Sequence, residues 1–256
     1  MVRLKRRRNE ALDHDHDPAS IARRLERPRE AQTVPDAILG GIDGCVTTFA
    51  VVSGAFGAGF SATVALVLGL ANLLADGFSM AISNYEAIQA QREYIEGIRK
   101  SERAHIDRSP EGEREEIRQI YRRKGLRGET LERVVSTISQ DRQVWVDTML
   151  SEEHGLQTTG LSPLRSALTT FAAFLLVGAM PLLPYTLGGL DATQQFVASL
   201  VIAALMFFLI GMLKSLVYHR PMLQSGLRTL LMGGAAAGLA FLAGHVAHSV
   251  FGVGVA

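Results

Sequence analysis

Between Arg29 and Arg92 the chain has no Lys or Arg, yet the stretch carries Asp36, Asp43, Asp76 and Glu86, with Asn72 and Met80 among them. Most of the intervening residues are apolar. A carboxylate in a bilayer interior costs several kcal/mol unless it is paired, solvated or neutralised. The missing positive charge can be a proton, a transported cation or a base on another helix. Asn72, Asp76 and Met80 are spaced i, i+4, i+8, which puts them in one polar, sulfur-bearing stripe on a helix. Asp43, Asp76 and Met80 together offer a transient site for a divalent transition metal. Oxygen ligands suit Fe²⁺ or Mn²⁺, and a soft sulfur biases against Mg²⁺ and Ca²⁺. Weak coordination suits a pathway, because an ion held too tightly does not leave. Exchange of protons for metal at the carboxylates would couple the two. The alternative is that Asp76 only hydrogen-bonds a neighbouring helix and Met80 only packs.

A second constellation lies further along: Glu102 and His105, Glu113 and Glu116, then Met149, Glu152 and Glu153. Glu102/His105 and Glu113/Glu116 are i, i+3 pairs, so each pair shares one helix face. Carboxylates with an imidazole and a thioether can bind divalent metals. Acid-rich amphipathic helices are also common, and Arg103, Arg114 and Arg118 stand nearby. Spacing alone therefore favours a solvated, salt-bridged face over a metal site.

These residues need elements to position them. Of 256 residues 48% are apolar, and 25 are glycine. Five apolar windows, at about 36–58, 61–90, 163–184, 194–217 and 227–251, meet the requirement of roughly 20 residues for a membrane span. The expected fold class is an all-α integral membrane protein with five transmembrane helices and a three-helix cytoplasmic insert between spans two and three. The expected organisation is a tail and amphipathic helix over 1–34, spans one and two over 35–90, the insert over 91–160 and spans three to five over 161–256.

Basic residues crowd 3–29 and 92–142, then recur only at Arg165, Lys214, Arg220 and Arg228. The connections at 57–61 and 185–195 hold none. By the positive-inside rule the N-terminus and insert are cytoplasmic and the C-terminus lies across the membrane. The single cysteine, Cys45, forms no internal disulfide and says nothing of compartment. No short apolar core with a cleavage site follows the basic start, so span one is expected to act as an uncleaved address.

Residues 1–17 read as a solvated tail, in which Asp13-His14-Asp15-His16-Asp17 offers at most weak metal binding. Pro18 to Arg29 suits a short amphipathic helix on an anionic membrane face. Gly40, Gly41 and Gly44 let helices approach closely or let the backbone open around an ion. Met180-Pro181-Leu182-Leu183-Pro184 can break span three. In the insert, span two runs on towards Glu102, Pro110 opens a second helix, and Gly125 and Gly128 bracket a turn. A third helix is expected from about Glu129 to His154, burying Val134, Val135, Ile138, Val144 and Trp145.

The run from Asp36 to Gly44, the segment Ala75-Asp76-Gly77 to Met80, and the acid-rich insert resemble the vacuolar iron transporter family. So do Pro110-Glu111-Gly112-Glu113, Tyr121 to Leu126, Asp147 to Met149 and Glu152-Glu153. The resemblance covers about residues 35–251. It implies a homodimeric, five-span, H⁺-coupled exporter of cytosolic Fe²⁺, with Mn²⁺ as a second cargo. The pathway would lie between the subunits, with Asp43 and Met80 handling ions. Beside that, the residues themselves suggest Asp76 as a second carrier, Asn72 in its stripe and Glu86 as a relay at the membrane mouth. Glu102, His105, Glu113, Glu116, Met149 and Glu153 occupy the positions of the family's metal-binding domain. The sequence departs in having His105 where Glu is usual, Leu150 where a second Met is common, and Asn72 where an acid can occur.

The partners implied are a second copy, divalent metal ions, protons and the bilayer, with no nucleic acid, no resident cofactor and no enzymatic activity. The vacuolar-type membrane that the family name suggests and a bacterial inner membrane both fit. Two other classes stay open on the residues alone. One is a membrane-anchored metal sensor or scaffold without flux. The other is a di-iron ferroxidase, for which Glu102–His105 supplies one Glu-x-x-His motif where such sites generally use two.

Overall fold

The computed structural model describes residues 17–26, 33–156, 160, 162–218 and 221–253. The weak metal motif at residues 13–17 falls almost wholly outside them, as does the end of the amphipathic segment. Its described part is a helix, α1 (Pro18–Glu26). No strand occurs among the described residues.

Among the described residues five helices are long and apolar enough to cross a membrane. They are α2 (Thr33–Gly57), α3 (Ala62–Arg108), a third unit from Pro163 to Thr186, α9 (Ala192–Tyr218) and α10 (Met222–Phe251). The chain is a multi-pass membrane protein. The third unit is α7 (Pro163–Gly178) followed by a 3₁₀ turn at Met180–Leu182 and α8 (Leu183–Thr186). Pro181 and Pro184 remove backbone donors there, which breaks the α-helical ladder. Part of the loss is repaired from outside, because Ser199 Oγ on α9 donates to the Pro181 carbonyl at 2.6 Å.

Helix α2 is the hub of the bundle, packing against α3, α7, α9 and α10. Its composition explains how four neighbours fit. A Cβ at Gly40 would press into the Thr170 carbonyl, and one at Gly44 into the Phe174 carbonyl. These two glycines, four residues apart, lie against two α7 residues also four apart, so the backbones meet with no side chain between them. Phe49, Val52, Phe174 and Phe207 fill the apolar centre around this contact.

Helix α3 is continuous over 47 residues. Ser61 caps its N-terminus through Val64 N, and no proline interrupts it before Ser109. At about 1.5 Å per residue, its second half stands well clear of the apolar bundle and carries the insert. There α4 (Pro110–Arg123) and α6 (Arg142–Glu152) pack on it, and α5 (Gly128–Gln140) packs against both of them. Pro110 starts α4 as expected, and Gly125, with φ +100°, turns the chain into α5.

The single helix expected from Glu129 to His154 is two helices. Asp141 is extended, and its side chain accepts from Gln143 N and Val144 N, which caps a new helix. The reset changes the buried face. Val135, Ile138 and Trp145 are buried and Val134 partly so, whereas Val144 is 46% exposed. Ile106, Ile117, Leu131, Val146, Met149 and Leu150 complete this second, separate core.

Candidate metal centre

Two polar regions lie on α3, one inside the bundle and one in the insert. In the bundle, Asn72, Asp76 and Met80 are all half-buried. Met80 packs against the apolar core. Asp76 lies within electrostatic range of Asp43 on α2. Asn72 Nδ2 is buried without a hydrogen-bond partner. Glu86 is exposed, two turns beyond Met80.

The structure extends this stripe by one residue. Asn84 is four positions after Met80, and its Nδ2 donates to Asp36 Oδ1 on α2 at 3.2 Å and to Thr170 Oγ1 on α7 at 2.8 Å. Asp36 Oδ2 is buried without a partner. The i+4 spacing continued from Asn72 through Met80 was signal enough to find Asn84. Thr170 had none, since only the Gly40 contact brings it there.

In the insert the acidic residues separate into two groups. Glu111 pairs with Arg114, Glu115 and Glu132 share Arg118, Glu129 pairs with Arg133, Asp107 with Arg142, and Glu152 with Lys124. Arg118 holds Glu132 through two bonds, Nε to Oε1 at 2.8 Å and Nη2 to Oε2 at 2.9 Å. These are the salt-bridged surface that composition suggested, and the Arg118–Glu132, Arg142–Asp107 and Lys124–Glu152 pairs tie the insert elements together.

Glu102, Glu113, Glu116 and Glu153 are different: among the described residues none has a Lys or Arg partner. Glu102 is 3% exposed and Glu113 5% exposed, and one oxygen of each, Oε2, is buried with no partner. His105 Nδ1 lies 3.8 Å from Glu102 Oε1 and 3.6 Å from Glu113 Oε1. A second imidazole completes the cluster, with His154 Nε2 at 3.1 Å from Glu102 Oε1 and 3.7 Å from Glu153 Oε2.

Local structure explains the convergence. Glu102 and His105 are one turn apart on α3, while Glu113 and Glu116 are one turn apart on α4. The Glu153 and His154 amides both donate to the Met149 carbonyl as α6 ends. Met149 itself is fully buried in the insert core, and so is Leu150.

Crowding of like charges has an electrostatic cost. Glu113 is pushed up to about 7, first by burial, then by the charges of Glu116, Glu102 and Glu153, and last by a hydrogen bond with Glu102. Glu116 is raised by burial and by Glu153 and Glu102, with His105 and His154 opposing. Among the described residues these anions gather without a basic side chain and beside two imidazoles, a donor set whose chemistry suits a divalent cation.

His154 was not recognised in sequence, because Ser151 three residues earlier offers no acidic partner on its own helix. Its partner, Glu102, is 52 positions away.

Fold and site together define a polytopic helical membrane protein with a cluster of carboxylates and imidazoles on a helical insert. The match of the VIT family model to residues 34–245 identifies the family, and the chain belongs to it. It is 33% identical over 219 residues to a vacuolar iron transporter 1 from Arabidopsis thaliana, covering 85% of this chain and 87% of the relative. It is 32% identical over 223 residues to a vacuolar iron transporter from Centaurea cyanus, covering 86% and 90%. A vacuolar iron transporter from Toxoplasma gondii is 29% identical over 228 residues, covering 86% and 76%.

Proposed function

We propose that this protein is a proton-coupled transporter that exports cytosolic Fe²⁺, with Mn²⁺ as a second cargo. In this reading the N-terminus and the insert at 91–160 are cytoplasmic, and two copies form the pathway between them. Glu102, His105, Glu113, Glu116, Met149 and Glu153 receive the metal. Asp43, Asp76, Met80 and Asn72 pass it across, with Glu86 and Asp36 as relays at the mouth. Family membership and the names of the relatives support iron as the cargo.

The observation that carries the reading is the sorting of the insert carboxylates. Those on the rim have arginine or lysine partners, while Glu102 and Glu113 keep buried oxygens unpaired. Leaving a buried charged acceptor unsatisfied is costly, and a divalent ion removes that cost. The same uninterrupted helix carries Met80 and Glu102. Their separation of 22 positions spans about 33 Å, which joins a collecting site to a membrane route on one rigid rod.

Release needs weaker coordination than capture. The bundle site supplies it, with two carboxylates and a thioether in place of four carboxylates, an imidazole and a thioether. Protonation of the bundle carboxylates would discharge the ion on the far side and couple its movement to protons.

The test is Fe²⁺ flux into proteoliposomes loaded with a metal-sensitive dye, with and without an opposing pH gradient and with Mn²⁺ in parallel. Flux that grows with the gradient is expected. Metal binding without flux of either ion would favour a sensor. Sustained catalytic oxidation of Fe²⁺ would favour a di-iron enzyme.

A further inference from the structure

Glu102 stands between two sets of donors. His105 and Glu113 form one set with it, and His154 and Glu153 the other. In each set of three, one donor atom per residue lies within 4.8 Å of the others. Both sets use the same buried carboxylate. Its Oε1 is approached by both imidazoles, and its Oε2 is enclosed without a partner. Glu113 Oε2 is likewise enclosed and unpartnered. His105 is 54% exposed, Glu153 40% and His154 27%, so the cluster opens to solvent past these three.

A hydrogen bond from one histidine to Glu102 would account for Oε1 alone. A proton shared between Glu102 and Glu113 would serve their enclosed oxygens, but neither bond gives a reason for a second imidazole on the same carboxylate.

We propose that His154 is a further metal ligand of this cluster, acting with Glu102 and Glu153, and that the two imidazoles bias the insert towards Fe²⁺ and Zn²⁺ over Mn²⁺. The inference rests on the reading of the insert as a metal-receiving domain and adds to it a further ligand, His154, and a basis for selectivity. Imidazole nitrogen suits zinc and iron, whereas carboxylate and water suit manganese, which also binds most weakly in the divalent series. Coordination requires the histidines neutral and binding through the nitrogen that faces Glu102, Nδ1 of His105 and Nε2 of His154.

The experiment is calorimetric titration of the full chain in detergent with Zn²⁺ and, separately, Mn²⁺. It compares the unaltered protein with His154→Ala, His154→Gln and His105→Glu. Glutamine keeps a donor for Glu102 but is a poor ligand, so it separates lost coordination from a lost hydrogen bond. Trp145, the only tryptophan, reports whether the insert is folded.

Both His154 variants should lose one Zn²⁺ per chain or about tenfold or more in Zn²⁺ affinity, with a smaller change for Mn²⁺. His105→Glu should narrow the preference for Zn²⁺ over Mn²⁺. An unchanged Zn²⁺ to Mn²⁺ ratio in folded variants that still bind metal overturns the proposal and leaves the metal-receiving reading intact. So does a His154→Gln protein that binds as the unaltered one does. Failure of the unaltered protein to bind either ion overturns both.

Discussion

Replacing Glu113 by Gln should stabilise the metal-free insert, even though it removes a proposed ligand. Glu113 is 5% exposed and one of its oxygens has no partner. Burial and three neighbouring carboxylates raise it from the usual value of 4.5 to about 7. A carboxyl raised in the folded state favours folding most below pH 4.5, and that contribution is lost as pH rises through about 7. Above pH 7 the ionised side chain opposes folding by about 3 kcal/mol as a ceiling, which water at the edge of the cluster reduces.

Gln is neutral at every pH, so Glu113→Gln should gain up to this amount at pH 8 and almost nothing near pH 4.5. For an insert of this size 1 kcal/mol corresponds to roughly 4–8 °C in Tm, so even a third of the ceiling is measurable. The assay is thermal unfolding of the full chain in detergent with chelator, followed by fluorescence of Trp145, which lies in the insert core. Saturating Fe²⁺ or Zn²⁺ should reverse the order, because the unaltered protein gains more from the ion. A variant less stable than the original at pH 8 without metal, or a gain independent of pH, would refute the charge-crowding account.

Gly44→Leu should uncouple α2 from α7, since even a Cβ meets the Phe174 carbonyl. A loss of 3 kcal/mol or more, beyond the usual range of about 1–3 for overpacking, is expected in thermal stability followed by size-exclusion chromatography. Asn84→Leu removes the donor shared by Asp36 and Thr170. It should cost about 1–3 kcal/mol and lower Fe²⁺ flux while metal binding to the insert persists. Asp43→Asn and Met80→Ala should each reduce flux in proteoliposomes and leave calorimetric binding by the insert unchanged. Normal transport by either would remove that residue from the pathway.

The membrane elements were legible because a span declares itself locally. Long charge-poor windows leave few alternatives to a bilayer helix, and Pro181 and Pro184 marked the break in the third unit. The glycines of α2 announced close packing, but Thr170 and Phe174 as the backbones they meet depend on how α7 lies. The split at Asp141 was missed because a capping aspartate inside an apolar-periodic run looks like one more polar residue. Its consequence was an exposed Val144.

In the insert, local spacing could group Glu102 with His105 and Glu113 with Glu116, since residues one turn apart share a face. It could not tell these acids from Glu111, Glu115 or Glu132, which have the same spacing and arginine neighbours. By themselves, then, the residues determined five apolar helices, a polar stripe on the second and an acidic helical insert. Tertiary structure decided which acids have cationic partners, which are buried without them, and that His154 reaches Glu102 across 52 positions. The physical reason is range. Hydropathy and helical periodicity act over a few turns of one element, whereas the charge state and metal affinity of a carboxylate depend on whatever atoms the fold brings within a few ångströms.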